Sequence, residues 1–362
     1  MLLLWLPIIV LVSATFSSAL AFPGERHCKT QEVRKEWRKL SYHQKARWLD
    51  AVKCLSHKPR SRTFVPSRFP TDIVKYNHSG SLYDDFVFLH MEQNHWIHAT
   101  GLFLPWHRWF VYQFTETLRK ECRYEGVAPY WDWSLDSKDV HGSSFFKESG
   151  SVSGLGGWGD PNKDYTVQDG ALSESSGFAL SYPAYHHLRR NWTIQPYIAG
   201  HAVYPKIFPD AYVLANSTFT PEKVRHLTRS HVGDFIGFQS DIENPEHMHS
   251  AVHVMTGGDL GGQCPASAPS PCGGGQTFSV NDPLFFLHHG MIDKVWAVWQ
   301  GKHHRNAVAF AGGSVQDPTY VGHPTGEAPW LHLNSTIPTD GLFPSTTIGG
   351  VLSISRLCYS YE

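Results

Sequence analysis

The amino-acid sequence predicts a mainly α-helical protein, with a four-helix bundle core embedded in long loops and a few short β-strands. Stretches with apolar residues at helical spacing alternate with segments rich in Gly, Ser, Pro and Tyr that have little periodicity. Histidines lie at helical spacing inside several of the helical stretches. We therefore expect the bundle core to hold a metal site built from facing side chains.

The first part of the bundle is predicted between residues 28 and 125. An amphipathic helix is expected within residues 33–55, and a second helix begins at a capping box formed by Ser81 and Asp84. Pro105 stands where a third helix would begin, because its fixed φ suits the first helical turn.

The second part of the bundle follows residues 134–243, which are predicted to be long loops with short elements. Asn244 and Pro245 are typical of a helix start, with Asn as the N-cap and Pro at the first helical position. After a loop rich in Gly and Pro, a further helix is expected from Pro283 to about Lys302. The rest of the chain is predicted to be irregular with a few strands.

Composition and charge limit the class of protein. Residues 1–21 have the pattern of an export signal, an apolar run that ends in small residues, and we expect one domain over residues 22–362. The net charge of −1 gives no basic surface for nucleic acid, and no later stretch is long enough to span a bilayer. The expectation is a secreted protein without a nucleic-acid or membrane partner.

Cysteine usage agrees with an exported chain. The six cysteines are an even number and allow up to three disulfides. Cys264 and Cys272 bracket a short Pro-rich loop and form the local pair that the sequence suggests; it does not pair the others. Four Asn-x-Ser/Thr sites fit a secreted glycoprotein: Asn77, Asn191, Asn216 and Asn334.

Histidine is unusually frequent, with 23 residues in the chain, and we assign a metal role only to those at helical spacing among apolar residues. In the stretch EHMHSAVH, His249 and His253 are one helical turn apart and share one face. Glu246 precedes His249 by three residues, so we expect it on the same face. His247 points away from that face.

Two further clusters contribute histidines. Adjacent His288 and His289 cannot both face one ion from a helix, and we take His289 as the ligand because it shares a stripe with Phe285, Asp293 and Trp296.

The remaining cluster offers His90 on one helix, His98 in the loop after it and His107 in the first turn of the next helix. On spacing alone, His95 could replace His98. Six imidazoles in two sets of three, without cysteine, suit copper better than zinc, because copper leads the affinity order for nitrogen ligands. Three histidines and a water are, however, also a catalytic zinc pattern.

These motifs resemble the tyrosinase copper-binding family, and in particular its short secreted fungal members. YDDFVFLH, HATGLFLPWHRWF and YWDW are similar to the first copper motif and its surroundings. MHSAVHVMTGGDL and NDPLFFLHHGMIDKVWAVWQ are similar to the second motif. The terminal CYSYE is similar to the family's Tyr-x-Tyr element, here Tyr359 and Tyr361. The resemblance extends from about Cys28 to Cys358.

The resemblance implies a type 3 dicopper centre with two copper ions and O2 as co-substrate. One copper would be held by His90, His98 and His107, and the other by His249, His253 and His289. Such a centre oxidises small phenolic substrates, converting o-diphenols or o-aminophenols to o-quinones. Phe285 matches a family phenylalanine that packs over the site.

Two departures from the family pattern are visible. Some members link a cysteine to the second histidine of the first copper, but Trp96 and Ile97 precede that histidine here. Many fungal relatives also carry a C-terminal shielding domain, whereas this sequence stops one residue after Tyr361. We expect from this that the site needs no proteolytic unmasking.

The alternatives differ in what happens to the substrate. In relatives that hydroxylate monophenols, a glutamate and an asparagine hold a water that takes the phenolic proton; the matching positions here are Glu246 and Ser250. A serine lacks the separate donor and acceptor groups of an amide, so we expect an o-diphenol oxidase with little monophenol hydroxylation. Glu246 alternatively serves as a helix-start carboxylate. A full tyrosinase, an O2 carrier and a zinc-dependent hydrolase are the competing functions.

Overall fold

A computed structural model of the protein describes residues 28–196, 213–270, 272–273, 275–317 and 322–362. The expected export signal, residues 1–21, lies outside these ranges. None of the described helices is long and apolar enough to cross a lipid bilayer.

The predicted class is confirmed: the protein is mainly helical. The α-helices of the described residues are α1 (Tyr42–Ser56), α2 (Leu82–Ile97), α3 (Phe103–Cys122), α4 (Ser144–Lys147), α5 (Pro221–Leu227), α6 (Phe235–Glu243), α7 (Met248–Thr256), α8 (Leu284–Lys302), α9 (His304–Val308) and α10 (Ile348–Val351). The helix predicted from Pro283 is α8, and the helix predicted near Pro105 is α3, which begins two residues earlier.

The β-strands are short and lie around the bundle. They are β1 (Glu32–Glu36), β2 (Pro129–Tyr130), β3 (Gly313–Val315), β4 (Glu327–Trp330), β5 (Thr336–Ile337), β6 (Thr346–Thr347) and β7 (Tyr359–Tyr361). β1 lies between β2 and β7 and is parallel to both, with Glu36 opposite Tyr130 and Glu32 opposite Tyr359. β3 with β4 and β5 with β6 form antiparallel pairs.

Aromatic side chains fill the space between α2, α3 and α8. Phe114 of α3 stacks on Phe286 of α8 with ring centroids 3.4 Å apart. Phe86 of α2 meets Phe114 edge-on at 5.3 Å. All three side chains are buried, and burying one such side chain contributes about 1.5–3 kcal/mol. This packing brings the histidine-bearing faces of the three helices together.

The capping box predicted for α2 is confirmed. Ser81 is the N-cap; its hydroxyl accepts from the Asp84 N–H, and the Asp84 carboxylate accepts from the Ser81 N–H at 2.7 Å. Helix α1 begins with the same arrangement at Ser41 and Gln44. Both helix starts follow from local sequence, because the capping partners are only three residues apart.

The helix expected within residues 33–55 forms only from Tyr42 onward. Glu32–Glu36 is the strand β1, and the chain then makes a 3-10 turn through Trp37–Lys39. The partners of β1 are far away in sequence, so local periodicity does not reveal the pairing. Tertiary context decided this segment against its helical pattern.

The expected helix start at Asn244 is also wrong. Asn244 is the C-cap of α6, whereas α7 begins at Met248 with His247 as its N-cap. Proline fits just after a helix end as well as at a helix start, and here Pro245 follows the end of α6. Glu246 therefore precedes α7, and the helical spacing that put it on the histidine face does not apply.

Three disulfides join the described cysteines. They are Cys28–Cys358, Cys54–Cys122 and Cys264–Cys272. The predicted local pair is thus confirmed, and two pairs link segments that are distant in sequence. Cys54–Cys122 ties the end of α1 to the end of α3.

Asp293 of α8 connects α8 to α3, β1 and β7 through hydrogen bonds and ion pairs. Its buried carboxylate accepts from Arg108 Nε of α3 at 2.5 Å, and from the hydroxyls of Tyr359 and Tyr361 of β7 at 2.6 and 2.5 Å. Arg34 of β1 lies 3.4 Å from the same carboxylate. Burial alone would raise the pKa of Asp293, but the two arginines and two hydroxyls hold it below its usual value. The resulting network fixes α3 against α8.

Candidate metal centre

Two groups of buried histidines lie in the bundle core. The first cluster is His90, His98 and His107, and the second cluster is His249, His253, His288 and His289. Within each cluster, one ring nitrogen of every member lies within 4.8 Å of the others. The structure thus brings together all six histidines that the sequence singled out, plus His288.

Helices position most of these side chains. In the first cluster, His90 projects from the middle of α2 and His107 from the second turn of α3. In the second, His249 and His253 come from α7, one turn apart, and His289 comes from α8.

The loop between α2 and α3 carries His98 and is held from outside the cluster. Ala99 has a left-handed backbone (φ 49°), and its N–H donates to the carboxylate of Glu243 at 2.5 Å. Gln239 Nε2 donates to the carbonyl of Thr100 at 2.7 Å and to Glu243 at 3.0 Å. Burial raises the pKa of Glu243 well above its ordinary value. Helix α6 therefore fixes the backbone next to His98.

Sequence reasoning missed Glu243 and Gln239. Glu243 is six residues before His249 and belongs to a different helix, so no spacing rule links it to the site. The usable signal was the segment FQSDIE, in which Gln239 and Glu243 are one helical turn apart.

Backbone carbonyls select the ring tautomer of four of the histidines. The Nδ1 atoms of His90, His98, His107 and His253 lie 2.8–3.1 Å from the carbonyl oxygens of Thr277, Asn94, Phe103 and Leu260 respectively. A carbonyl can only accept, so each Nδ1 carries the hydrogen and each Nε2 keeps its lone pair. Donation of one ring N–H to a carbonyl, with the other nitrogen left to bind the ion, is the usual arrangement of metal-bound histidines.

Many of the ring nitrogens in the two clusters have no hydrogen-bond partner among the described residues. Nε2 of His90, His107, His253 and His288, and both ring nitrogens of His249 and His289, are buried without a hydrogen-bond partner. Such orphaned polar atoms are costly unless something binds them. The donor set, neutral imidazole nitrogens without cysteine, therefore fits a nitrogen-preferring metal such as copper.

Burial keeps these imidazoles neutral. It lowers the pKa of His90 to about 3 and that of His253 to about 4. Burial also lowers the pKa values of His98, His107, His249 and His289 well below the ordinary range. At neutral pH, protons therefore do not compete with a metal for the ring nitrogens.

The two clusters face each other across the bundle. The rings of His107 and His289 stack with centroids 4.3 Å apart, and His98 lies 6.2 Å from His249. Phe285 is buried between them, 4.2 Å from the His289 ring and 5.1 Å from the His90 ring. The arrangement suits two neighbouring ions with an aromatic wall, as expected for Phe285.

Ser250 and Glu246 have different surroundings. The buried Ser250 hydroxyl donates to the main-chain carbonyl of Glu243 at 3.0 Å. Glu246 lines a separate cavity of about 560 Å³ with Lys223 and His226. His95, which could replace His98 on spacing alone, and His247, which was expected to point away from the ligand face, also lie outside the clusters. His95 is exposed and pairs with Asp72, and His247 lies 3.9 Å from Asp241.

Comparison with known proteins agrees with this geometry. The family model described as the common central domain of tyrosinase matches residues 80–302, a range that contains both clusters. The chain is similar to the tyrosinase-like protein phomQ1 of Diaporthe leptostromiformis, with 29% identity over 93% of this chain and 79% of that protein. It is also similar to N-acetyl-6-hydroxytryptophan oxidase ivoB of Emericella nidulans, with 28% identity over 95% of this chain and 96% of that protein.

Among solved structures, that of a single-substitution mutant of a polyphenol oxidase from Thermothelomyces thermophila has a similar fold. The two chains superpose with a TM-score of 0.60 and 25% sequence identity, over 92% of this chain and 89% of the other.

Proposed function

Since this chain belongs to the tyrosinase family, we propose that it is a dicopper oxidase that uses O2 to convert o-diphenols to o-quinones, or o-aminophenols to o-quinone imines. Enzymes of this family act on small phenols and bind two copper ions through histidine clusters. Two o-diphenol molecules give up two electrons and two protons each, and one O2 takes them up as two waters. The pair of facing histidine clusters is the observation that carries the proposal.

We assign one copper to the first cluster and the other to His249, His253 and His289. When bound, the copper ions supply the O2-binding centre and accept the electrons of the phenol. The protein buries the imidazoles, holds them neutral and fixes four of their tautomers through backbone carbonyls. Metal analysis of the purified protein should find two copper ions per chain.

The identity of residue 250 supports diphenol over monophenol chemistry. A monophenol has a pKa of about 10 and must lose its proton before its oxygen binds metal. The Ser250 hydroxyl already donates to the Glu243 carbonyl, and Glu246 lines another cavity. The Glu243 carboxylate accepts from Ala99 and Gln239. These contacts support our proposal of weak monophenol hydroxylation, because the Ser250 hydroxyl is engaged with a main-chain carbonyl and Glu246 precedes α7.

The test compares tyramine with dopamine, and tyrosine with its catechol, in the parent and in Ser250→Asn. General-base assistance is worth roughly 10²–10⁴-fold, so we expect kcat/KM for the monophenols to be at least about 10²-fold below that for the catechols. Ser250→Asn should reduce the difference in kcat/KM between monophenols and catechols. Ser240→Asn, which adds the same amide on α6, is the control and should leave that difference unchanged.

Monophenol rates close to the catechol rates in the parent, unchanged by Ser250→Asn, would contradict the diphenol proposal. Catechol turnover also separates this enzyme from an O2 carrier. One relative is named as an N-acetyl-6-hydroxytryptophan oxidase, so hydroxyindoles belong in the same panel of phenols.

We also propose that the protein is secreted and that residues 22–362 form one domain. The three disulfides support secretion, because such bonds form and persist in oxidising compartments. One disulfide links Cys28 to Cys358, which lie close to opposite limits of the proposed domain.

A further inference from the structure

The second cluster contains one histidine more than a three-histidine copper site uses. His288 is fully buried like His289, and its ring nitrogen lies within 4.8 Å of those of His249, His253 and His289. Distance and burial alone therefore do not exclude His288 as a ligand. Something in the surroundings must make the two adjacent histidines chemically different.

The difference lies in what each Nδ1 atom contacts. The indole Nε1 of Trp133 lies 3.2 Å from Nδ1 of His288. An indole nitrogen can only donate, so His288 Nδ1 must accept, and the ring hydrogen then sits on Nε2. A neutral imidazole nitrogen that carries hydrogen has no lone pair for a metal. Among the described residues, both ring nitrogens of His289 are without a hydrogen-bond partner, whereas His288 lacks one only at Nε2.

Trp133 is held firmly enough to impose this choice. It is completely buried, and its ring packs edge-on against Phe219 at 5.5 Å. The main chain just before it is tied to α8, because the Trp131 N–H donates to the carbonyl of Leu287 at 3.0 Å. The segment that carries the Trp133 indole is therefore hydrogen-bonded to α8 at the residue before His288.

We propose that Trp133 is a positioning residue that keeps His288 out of metal coordination by fixing its Nε2–H tautomer, so that His289 alone completes the second site. The non-ligand ring then acts as a spacer. It stacks on His249 (centroids 5.4 Å apart, 19° between planes) and meets His253 edge-on at 4.7 Å. This inference rests on the proposed copper site, but its main readout is taken on metal-free protein.

The principal experiment is ¹⁵N NMR of the metal-free, full-length protein labelled at histidine, which distinguishes the two neutral tautomers. The parent should show His288 as the Nε2–H form. Trp133→Phe removes the donor and should shift the ratio of the tautomers toward the Nδ1–H form by roughly three- to tenfold, the worth of one hydrogen bond.

Trp131→Phe is the matched control. Trp131 is equally buried in the same YWDW segment, but its indole donates to Asp136 at 2.7 Å. This variant should therefore leave the His288 signals unchanged. His288→Phe assigns those signals by their disappearance.

A second measurement uses copper. Sub-stoichiometric Cu(II) added to Trp133→Phe should give an additional EPR component that is absent from the parent and from Trp131→Phe. The component should vanish in the double variant Trp133→Phe/His288→Phe, because the competing ligand is then removed.

Three results would overturn the inference: an Nδ1–H tautomer for His288 in the parent, an unchanged ratio in Trp133→Phe, or an equal shift in Trp131→Phe. The tautomer of His288 in the parent is measured without any variant, so the inference can be tested even if Trp133→Phe does not fold. A parent with the Nε2–H tautomer but no phenol turnover would leave this inference standing and contradict the proposed function instead.

Discussion

At the scale of single residues, the proposed copper ligands and His288 differ in their ring contacts rather than in their burial. We expect His253→Ala and His289→Ala each to reduce bound copper from two ions toward one, because an ion left with two imidazoles loses much of its binding energy. His288→Ala should retain both ions. Copper content is measured by elemental analysis after dialysis against a weak chelator.

The converse pattern, with copper lost in His288→Ala and kept in His289→Ala, would show that the ligand assignment on α8 is reversed. The fold of each variant is checked by circular dichroism. A matched control is His95→Ala, which removes an exposed histidine outside both clusters.

Spacing along the sequence predicted the members of the clusters but not what surrounds them. His249 and His253 follow from one helical turn, and His289 from its stripe on α8, because these relations are local. Glu243 and Trp133 were missed, since each reaches the site from another segment. A contact between two distant segments produces no regular spacing of residues along the sequence, so it cannot be predicted from such a pattern.

At the scale of elements, helices with local signals were predicted well and segments fixed by distant partners were not. The capping box at Ser81 marks α2 correctly because both partners lie within one turn. β1 was mistaken for helix, since its partners β2 and β7 come from elsewhere in the chain. Asn244 and Pro245 fit a helix end as well as a start, and in the structure they follow the end of α6.

Asp293 is the clearest test of how the elements are joined. Asp293→Asn removes the charge that pairs with Arg108 and Arg34, and breaking one side of a buried ion pair typically costs about 3–5 kcal/mol. We expect a loss of that size in the free energy of unfolding, measured by urea titration. Asp50→Asn, which breaks an exposed pair with Lys53, should cost at most about 1 kcal/mol.

The same carboxylate predicts a dependence on pH. The pKa of Asp293 is lower in the folded protein than in the unfolded chain, so the unfolded state binds the proton more readily. The stabilisation is complete above the unfolded value of about 4 and is lost as the pH falls through the folded pKa. The difference in unfolding free energy between the parent and Asp293→Asn should therefore shrink below about pH 4. A difference that stays constant or grows on acidification would contradict this.

At the scale of the whole molecule, the fold separates the four glycosylation sequons into two kinds. Asn216 Nδ2 donates to the carbonyl of Ser137 at 2.8 Å, and Asn191 Nδ2 donates to Gln263 at 3.1 Å. A glycan on either nitrogen would displace an internal hydrogen bond. Asn77 and Asn334 are exposed, and the Asn77 oxygen accepts from the Ser79 N–H, which leaves its nitrogen toward solvent.

We therefore expect glycans on Asn77 and Asn334 when the chain passes through a eukaryotic secretory pathway. Intact-mass measurement should show one glycan fewer in Asn77→Gln and in Asn334→Gln. The number of glycans should be unchanged in Asn191→Gln and Asn216→Gln. A glycan on Asn216 would mean that the contact with Ser137 does not form in the secreted protein.

The Cys28–Cys358 bond also changes what a single cut in the chain can do. It closes residues 28–358 into a covalent ring, so one cleaved peptide bond opens the ring without releasing a fragment. A cut within residues 123–234 would put His90, His98 and His107 on one piece and the remaining cluster on the other. The two pieces would stay tethered, run as one band on a non-reducing gel, and separate only after a thiol is added.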